Sequence, residues 1–307
     1  MALVDDVIAK QTGFLQEFHK GKGIVLESIS VKSKNKGIED YLVRSEYNLI
    51  EPFPNWKQIE EEFNEGDGHE LKWGRGNPPK FRAVLSSSAL CVNNFAPFKE
   101  HCTNSKLSFL GYSGFLEKCV RFEKKLSTGI SKPNLDFYFE NKKTVIAIES
   151  KFTEHLGSPK PPNRQRKDRQ TGIKENNLKK YLNWVELNYL PKEFHDSIIE
   201  HYYNDDKPQR LDVAQLIKHT IGLLKNCREK KKEAILVYLY WEPQNPTIDN
   251  LFAEHRHNIK MFKHRIERFI EFVPLSYPEF WGLYQDDDLL KGHIGKVRER
   301  YEFKIES

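Results

Sequence analysis

Apolar residues fall into two kinds of run along this chain: short dense runs that read as buried strands, and spaced runs that read as helices. The densest comprises Leu135-Asp136-Phe137-Tyr138-Phe139, a polar turn at Glu140-Asn141-Lys142-Lys143, and Thr144-Val145-Ile146-Ala147-Ile148-Glu149-Ser150-Lys151-Phe152. β-Branched and aromatic residues dominate both arms, which predicts a β-hairpin. Residues 121–126 predict a first strand before it, and residues 234–241, nearly all branched or aromatic, a buried strand after it. Helical spacing of Val4, Ile8, Phe14, Leu15 and Phe18 predicts a helix over 3–19, stopped by Gly21 and Gly23. Ser86, Ser87 and Ser88 predict the cap of a helix that runs through Ala89, Leu90, Val92 and Phe95 and ends before Pro97. Residues 174–185 and 211–225 are amphipathic, and 250–272 reads as one long charged helix. Residues 60–80, polar and rich in Gly and Pro, read as a loop or boundary, whereas 24–50 fit strand and helix equally.

Composition places this pattern in a globular protein. The 307 residues are 38% hydrophobic and 30% charged, enough for a full core, and no run is long and apolar enough to span a bilayer. The start, Met1-Ala2-Leu3-Val4-Asp5-Asp6, lacks the basic and apolar blocks of a signal peptide, so the expected location is the cytoplasm. Cys91, Cys102, Cys119 and Cys227 form no CxxC pair and no metal spacing, which fits reduced thiols. A net charge of +5 permits a polyanionic partner without requiring one.

The hairpin carries the chemistry. Period-two alternation puts Glu149 and Lys151 on one face of their strand, with Asp136 on the arm opposite. Charges in so apolar a setting need an ion pair or a metal to offset their desolvation. A structural ion pair at a sheet end is one reading. The other is a hard divalent cation held by Asp136 and Glu149, with the backbone carbonyl of Ser150 or Ile148 as a third oxygen. Lys151 would then orient an attacking water or stabilise charge in the transition state.

The order of Pro133-Asn134-Leu135-Asp136, hairpin, and Glu149-Ser150-Lys151 resembles the PD-(D/E)xK nuclease superfamily, although Asp136 stands three residues after the proline. Together with Phe81-Arg82-Ala83-Val84-Leu85-Ser86-Ser87-Ser88-Ala89-Leu90-Cys91-Val92-Asn93-Asn94-Phe95 and Phe122-Glu123, it looks like a bacterial family of type II-like restriction endonucleases. The resemblance spans about residues 86–241. It implies an α/β fold: an α+β mixed sheet flanked by helices, a restriction-endonuclease-like core with extra helical segments at both ends. The expected divisions are an N-terminal helical or loop region 1–80, a nuclease core 81–245 and a C-terminal helical extension 246–307. The implied activity is hydrolysis of double-stranded DNA with Mg²⁺, Mn²⁺ substituting, by a sequence-specific type II restriction enzyme. A homodimer would cut both strands, and a cognate methyltransferase would accompany it. The alternatives are a structure-preferring repair or exonuclease-like nuclease, and a DNA-binding module with a vestigial site.

Other residues are weighed against these. Glu123 is a candidate further catalytic or metal-binding carboxylate, or else a surface glutamate paired with Lys124 or Lys125; Glu154 has a weaker claim. Gln215 and His219 lie one helical turn apart and resemble the Gln-x-x-x-Tyr element of exonuclease-type members, with His in place of Tyr; a polar helix stripe explains them too. Residues 158–170 hold five basic side chains against Asp168 alone. Arg164, Arg166, Lys167 and Arg169 there, with Gln215, are candidate DNA contacts. Pro159, Pro161 and Pro162 predict a loop that projects from the core. His255 and His257 do not share a helix face, which argues against a zinc site.

Overall fold

The structure is a computed structural model that describes residues 2–20, 26–29, 39–66, 70–74, 77–167 and 174–306. Its centre is a five-stranded sheet: β1 (Arg121–Lys125), β2 (Asn134–Glu140), β3 (Thr144–Lys151), β4 (Glu233–Tyr240) and β5 (Glu271–Ser276), lying side by side in chain order. The first three strands form an antiparallel meander, whereas β4 and β5 are each parallel to the strand before them. Parallel neighbours require crossovers. Helix α4 (Val213–Lys230) lies between β3 and β4, and α5 (Asn250–Ile266) between β4 and β5. Further helices are α1 (Ala2–Phe18), α2 (Trp56–Glu65), α3 (Ser87–Glu100), α6 (Tyr277–Tyr284) and α7 (Lys291–Tyr301), and a helical segment with a π turn at its middle covers 192–204 ahead of α4. This is the mixed sheet flanked by helices expected of a restriction-endonuclease-like core.

Alternation along the strands builds two cores. One face of the sheet presents Phe137, Phe139, Ile146, Ile148, Val237 and Leu239 to Phe95 of α3 and Phe280 of α6. Phe95 stacks on Phe137 with ring centroids 4.9 Å apart. The other face presents Tyr138, Val145, Ala147, Leu236 and Tyr238 to Ile217 and Ile221 of α4 and to Ile259 and Phe262 of α5. Strands covered on both faces have no need of polar residues, which accounts for their nearly continuous apolar sequence. The turn between β2 and β3 is fixed locally: Asn141 Oδ1 accepts the backbone N–H groups of Lys143 (2.9 Å) and Thr144 (2.7 Å).

Several local expectations are corrected. Helix α3 continues through Pro97 to Glu100. Proline leaves the carbonyl of Asn93 without its helical donor, and His293 Nε2 bonds that oxygen at 2.6 Å instead. The segment 60–80 starts inside α2, whose Ile59 and Phe63 are buried in the first core. Residues 174–185 form a short strand, Lys174–Asn176, followed by 3₁₀ turns. The long helix expected over 250–272 ends at Ile266, and Glu271–Ser276 turns into the edge strand β5. Within 24–50, a small hairpin pairs Leu26–Ile29 with Glu39–Leu42. Among the described residues no helix is long and apolar enough to cross a membrane.

One cluster pins the far end of the hairpin. Glu140 accepts from Lys230 at 2.5 Å, Lys232 at 2.6 Å and the Tyr138 hydroxyl at 2.6 Å. Burial opposes its ionisation, but these donors outweigh burial and hold its carboxyl down to about 2. A carboxylate depressed in the folded state contributes stability above its unfolded value, and that contribution is lost as pH falls through the folded one. Glu140→Gln should therefore lower stability by roughly 1–3 kcal/mol at neutral pH. In urea melts from pH 7 to pH 2, the gap to the wild type should narrow as pH falls below about 4.5.

Candidate active site

Strands β2 and β3 pair from Glu140–Val145 to Phe137–Ile148 and then part. The next position in register would set Asp136 against Glu149. Instead, Asp136 Oδ2 accepts the backbone N–H of Ser150 at 2.7 Å, so a side chain takes the place of a ladder carbonyl. The gap opens at the head of the sheet, where Lys151 ends β3. Glu149 is 1% exposed, and the Lys151 ammonium contacts its Oε1. Lys151 meets only Oε1; Oε2 of Glu149 has no hydrogen-bond donor. Burial, then Glu149, raises the Asp136 carboxyl well above its usual range, and burial also raises Glu149 although Lys151 opposes it. Burial disfavours the Lys151 ammonium as well, but Glu149, Glu154 and Asp136 outweigh that and keep it protonated.

Glu123 joins this group from β1. The pairs Phe122–Phe137 and Lys124–Leu135 flank it, which sets it opposite Asp136 in register. Its backbone has φ +50°, a left-handed conformation that costs a non-glycine residue about 1–2 kcal/mol. The carboxylate is buried and accepts from Asn134 Nδ2 at 2.9 Å, so it is not a surface partner of Lys124 or Lys125. Burial first, then Asp136 and Glu70, push it up to about 8. A Cβ on Gly66 would sit 3.0 Å from Phe63 O and 3.2 Å from Glu123 Oε2, so any side chain there would press on this carboxylate.

Helix α4 closes the other side. Asp212 caps it, accepting from Gln215 N at 3.1 Å. Its face of Gln215, His219 and Gly222 is turned to the sheet: a Cβ on Gly222 would lie 3.1 Å from Leu126, so the missing side chain permits the close approach. His219, 2% exposed, has Nδ1 3.4 Å from Glu149 Oε2. Burial lowers its pKa to about 3, with Lys151 adding to the effect, so the ring is neutral. Gln215 lines a cleft of about 230 Å³ together with Lys151, Glu154, Arg164, Asp212 and Tyr238. The polar stripe of α4 thus faces the hairpin carboxylates.

The basic segment does not project. Lys160 pairs with Gln209 through two backbone bonds, and Arg164 bonds Asp212 at 2.7 Å, folding the proline-rich stretch back along the cleft. Proline's fixed φ suits such an extended bridge as well as it suits a projecting loop. Residues 165–167 then pair with 174–176. The side chains of Arg166 and Lys167, and Arg169 altogether, lie outside the described residues. Glu154 accepts from Phe152 N at 2.7 Å, while the Ser150 hydroxyl points to the opposite face and meets Tyr277 OH at 2.6 Å. Asn93 is a core residue, bonded to Ile50 N and Tyr301 OH. His255 is fully buried beneath β4, with Nε2 3.1 Å from Tyr238 OH. The sequence reading did not single out Asp212 or Tyr238. An aspartate ahead of an apolar helical run is a recognisable cap signal, but nothing in the sequence marks Tyr238, which neighbours Glu149 only through the parallel pairing.

A divalent cation fits these donors. Two buried carboxylates pushed toward protonation, one with an oxygen that has no donor, form an oxygen-rich set that a hard cation would neutralise. A family model described as Restriction Endonuclease associating with ARP matches residues 16–302. The chain belongs to that family. Membership extends beyond the 86–241 core to nearly the whole chain of this restriction-endonuclease relative, including α7, whose Tyr301 and Arg300 pack into the first core and against Gln11 and Asn48. No curated protein and no solved structure matches it significantly.

The buried carboxylates leave a mark on stability. A Glu123 carboxyl raised to about 8 makes the metal-free fold bind a proton that the unfolded chain releases, so stability falls as pH rises from about 4.5 to about 8 and then levels. Glu123→Gln should remove this slope. In urea melts with chelator present, the variant should match the wild type near pH 4.5 and exceed it by roughly 2–4 kcal/mol at pH 9.

Proposed function

We propose that this chain is a divalent-metal-dependent endonuclease that hydrolyses phosphodiester bonds in double-stranded DNA, a sequence-specific restriction enzyme of type II character. The observation that carries the reading is Glu149: a carboxylate 1% exposed, its Oε1 held by Lys151 and its Oε2 without a donor, beside Asp136 at the point where β2 and β3 part. Structure alone has no use for such an arrangement; an apolar pair would be cheaper there. Membership of a restriction endonuclease family agrees with it.

In this proposal Asp136 and Glu149 hold Mg²⁺, with Mn²⁺ as a substitute, and the Ser150 carbonyl is the candidate third oxygen. When bound, the ion supplies Lewis-acid stabilisation of charge on the phosphate. Asp136 is fixed in place by the Ser150 N–H. Lys151, kept protonated by its acidic neighbours, is a positioning cation for the attacking water rather than its base. Glu123, opposite Asp136, extends the carboxylate row and is proposed to hold a further ligand water. Arg164 and Gln215 line the cleft beside Lys151 and are proposed to contact the phosphate backbone, as are Arg166, Lys167 and Arg169 of the same basic segment. Cutting both strands requires two such sites, hence a homodimer on duplex DNA, with a cognate methyltransferase protecting the host. The family description adds an association with ARP, an expected partner of this chain too.

A second reading follows from α4. Gln215 lines the cleft and His219 meets Glu149 one turn on, as the corresponding element would in exonuclease-like relatives, and so they favour a structure-preferring nuclease. A plasmid assay separates the two: discrete fragments accompany site-specific cutting, a smear accompanies exonuclease action, and retention without cutting leaves only a binding module.

Asp136→Asn and Glu149→Gln should each reduce cleavage roughly 10³-fold or more, about 4 kcal/mol of transition-state stabilisation, while duplex binding measured in Ca²⁺ persists. Wild-type rates in either variant would remove this site from consideration. Arg164→Ala should weaken DNA binding and flatten the plot of log K against log salt by about 0.9 if one phosphate contact is lost. An unchanged slope would assign Arg164 to capping Asp212 alone.

A further inference from the structure

The donor set at the head of β3 contains a nitrogen. His219 Nδ1 and Glu149 Oε2 face each other at 3.4 Å across a buried space; their side chains are 2% and 1% exposed. Neither atom is hydrogen-bonded. With the imidazole proton on Nε2 and Glu149 ionised, both atoms are acceptors, and two acceptors held this way repel unless something positive lies between them. Lys151 does not fill that role, because it contacts the other oxygen, Oε1. The separation is also what coordination would give: ligand bonds of about 2.0–2.2 Å at a tetrahedral angle set neighbouring donors about 3.4 Å apart.

We infer that His219 Nδ1 is an inner ligand of the same cation as Glu149, which makes the centre a mixed nitrogen–oxygen site selective for a transition-metal ion over Mg²⁺. The inference rests on the reading of Asp136 and Glu149 as metal ligands and refines which ion they take. Oxygen-only sites suit Mg²⁺, whereas an imidazole raises affinity along the first-row series without helping the harder ion. The fold invests in the placement as well. Asp212 fixes the start of α4, and the absent side chain at Gly222 lets the helix settle against Leu126, which brings His219 down onto Glu149. Moving the helix outward by the width of a methyl group would break the geometry.

The test uses metal binding by the full chain without DNA. Calorimetry with Co²⁺ and Mg²⁺ would be run on the wild type, His219→Gln and Glu149→Gln, with circular dichroism to verify folding. Pulsed electron paramagnetic resonance of the Mn²⁺-loaded wild type would look for coupling to a directly bound imidazole nitrogen. The expected results are Co²⁺ binding at least roughly 10-fold tighter than Mg²⁺, and a loss of roughly 10–100-fold in Co²⁺ affinity in His219→Gln with Mg²⁺ affinity nearly unchanged. The nitrogen coupling should be present in the wild type and absent from the variant. Should His219→Gln fail to fold, the wild-type spectrum decides by itself, since a merely structural histidine gives no such coupling. Metal binding that is lost in Glu149→Gln, with no nitrogen coupling in the wild type, would overturn the histidine assignment and leave the carboxylate site standing. Absence of any metal binding in the wild type would overturn the metal-site reading itself, and this inference with it.

Discussion

Everything at the candidate site depends on one exchange of hydrogen bonds: the Asp136 carboxylate, rather than a backbone carbonyl, receives the N–H of Ser150. Without it β2 and β3 would continue their ladder past Phe137–Ile148, and the carboxylates would have no gap to enclose. With it, the two strands part while Asp136 remains tied to the strand that carries Glu149 and Lys151. The same substitution sets the electrostatics. It brings a second carboxylate beside one that is already buried, and each makes the other harder to ionise.

The surrounding structure holds these charges in place rather than relieving them. On one face, Phe95, Phe137 and Phe139 form a packed aromatic layer that keeps the hairpin rigid up to the residue where it opens. On the other, α4 is drawn close by Gly222 and delivers Gln215 and His219. Glu123 adds a third carboxylate in a left-handed backbone conformation, with a glycine at 66 making room for it. Strain and buried charge concentrated at one sheet end, with well-satisfied polar groups at the other around Glu140, is the distribution expected when a site is kept for function at the expense of stability.

Much of this architecture is local enough to be read along the chain. The hairpin, the strand over 233–240 and the start of α3 at Ser86 follow from alternation, apolar density and capping, each of which involves neighbours a few residues apart. The two acids and the lysine stood out because charge is expensive in such runs. Errors came where a distant partner decided the outcome. Helix α3 passes through Pro97 because His293, far along the chain, takes the freed carbonyl of Asn93. The proline-rich basic segment lies back on the cleft because Gln209 and Asp212 are there to receive it.

By itself, then, the sequence determined which residues form the hairpin and which charged side chains it carries, since period-two and helical patterning act within a window of a few residues; the helix-flanked mixed sheet followed from the family resemblance those residues carry. Only the tertiary structure decided that Glu123 falls opposite Asp136, that Tyr238 neighbours Glu149, and that His219 rather than a solvent-facing stripe meets the carboxylate. Those relations depend on strand register and on how closely a helix can approach a sheet. Both are set by packing between segments remote in the chain, which no local pattern encodes.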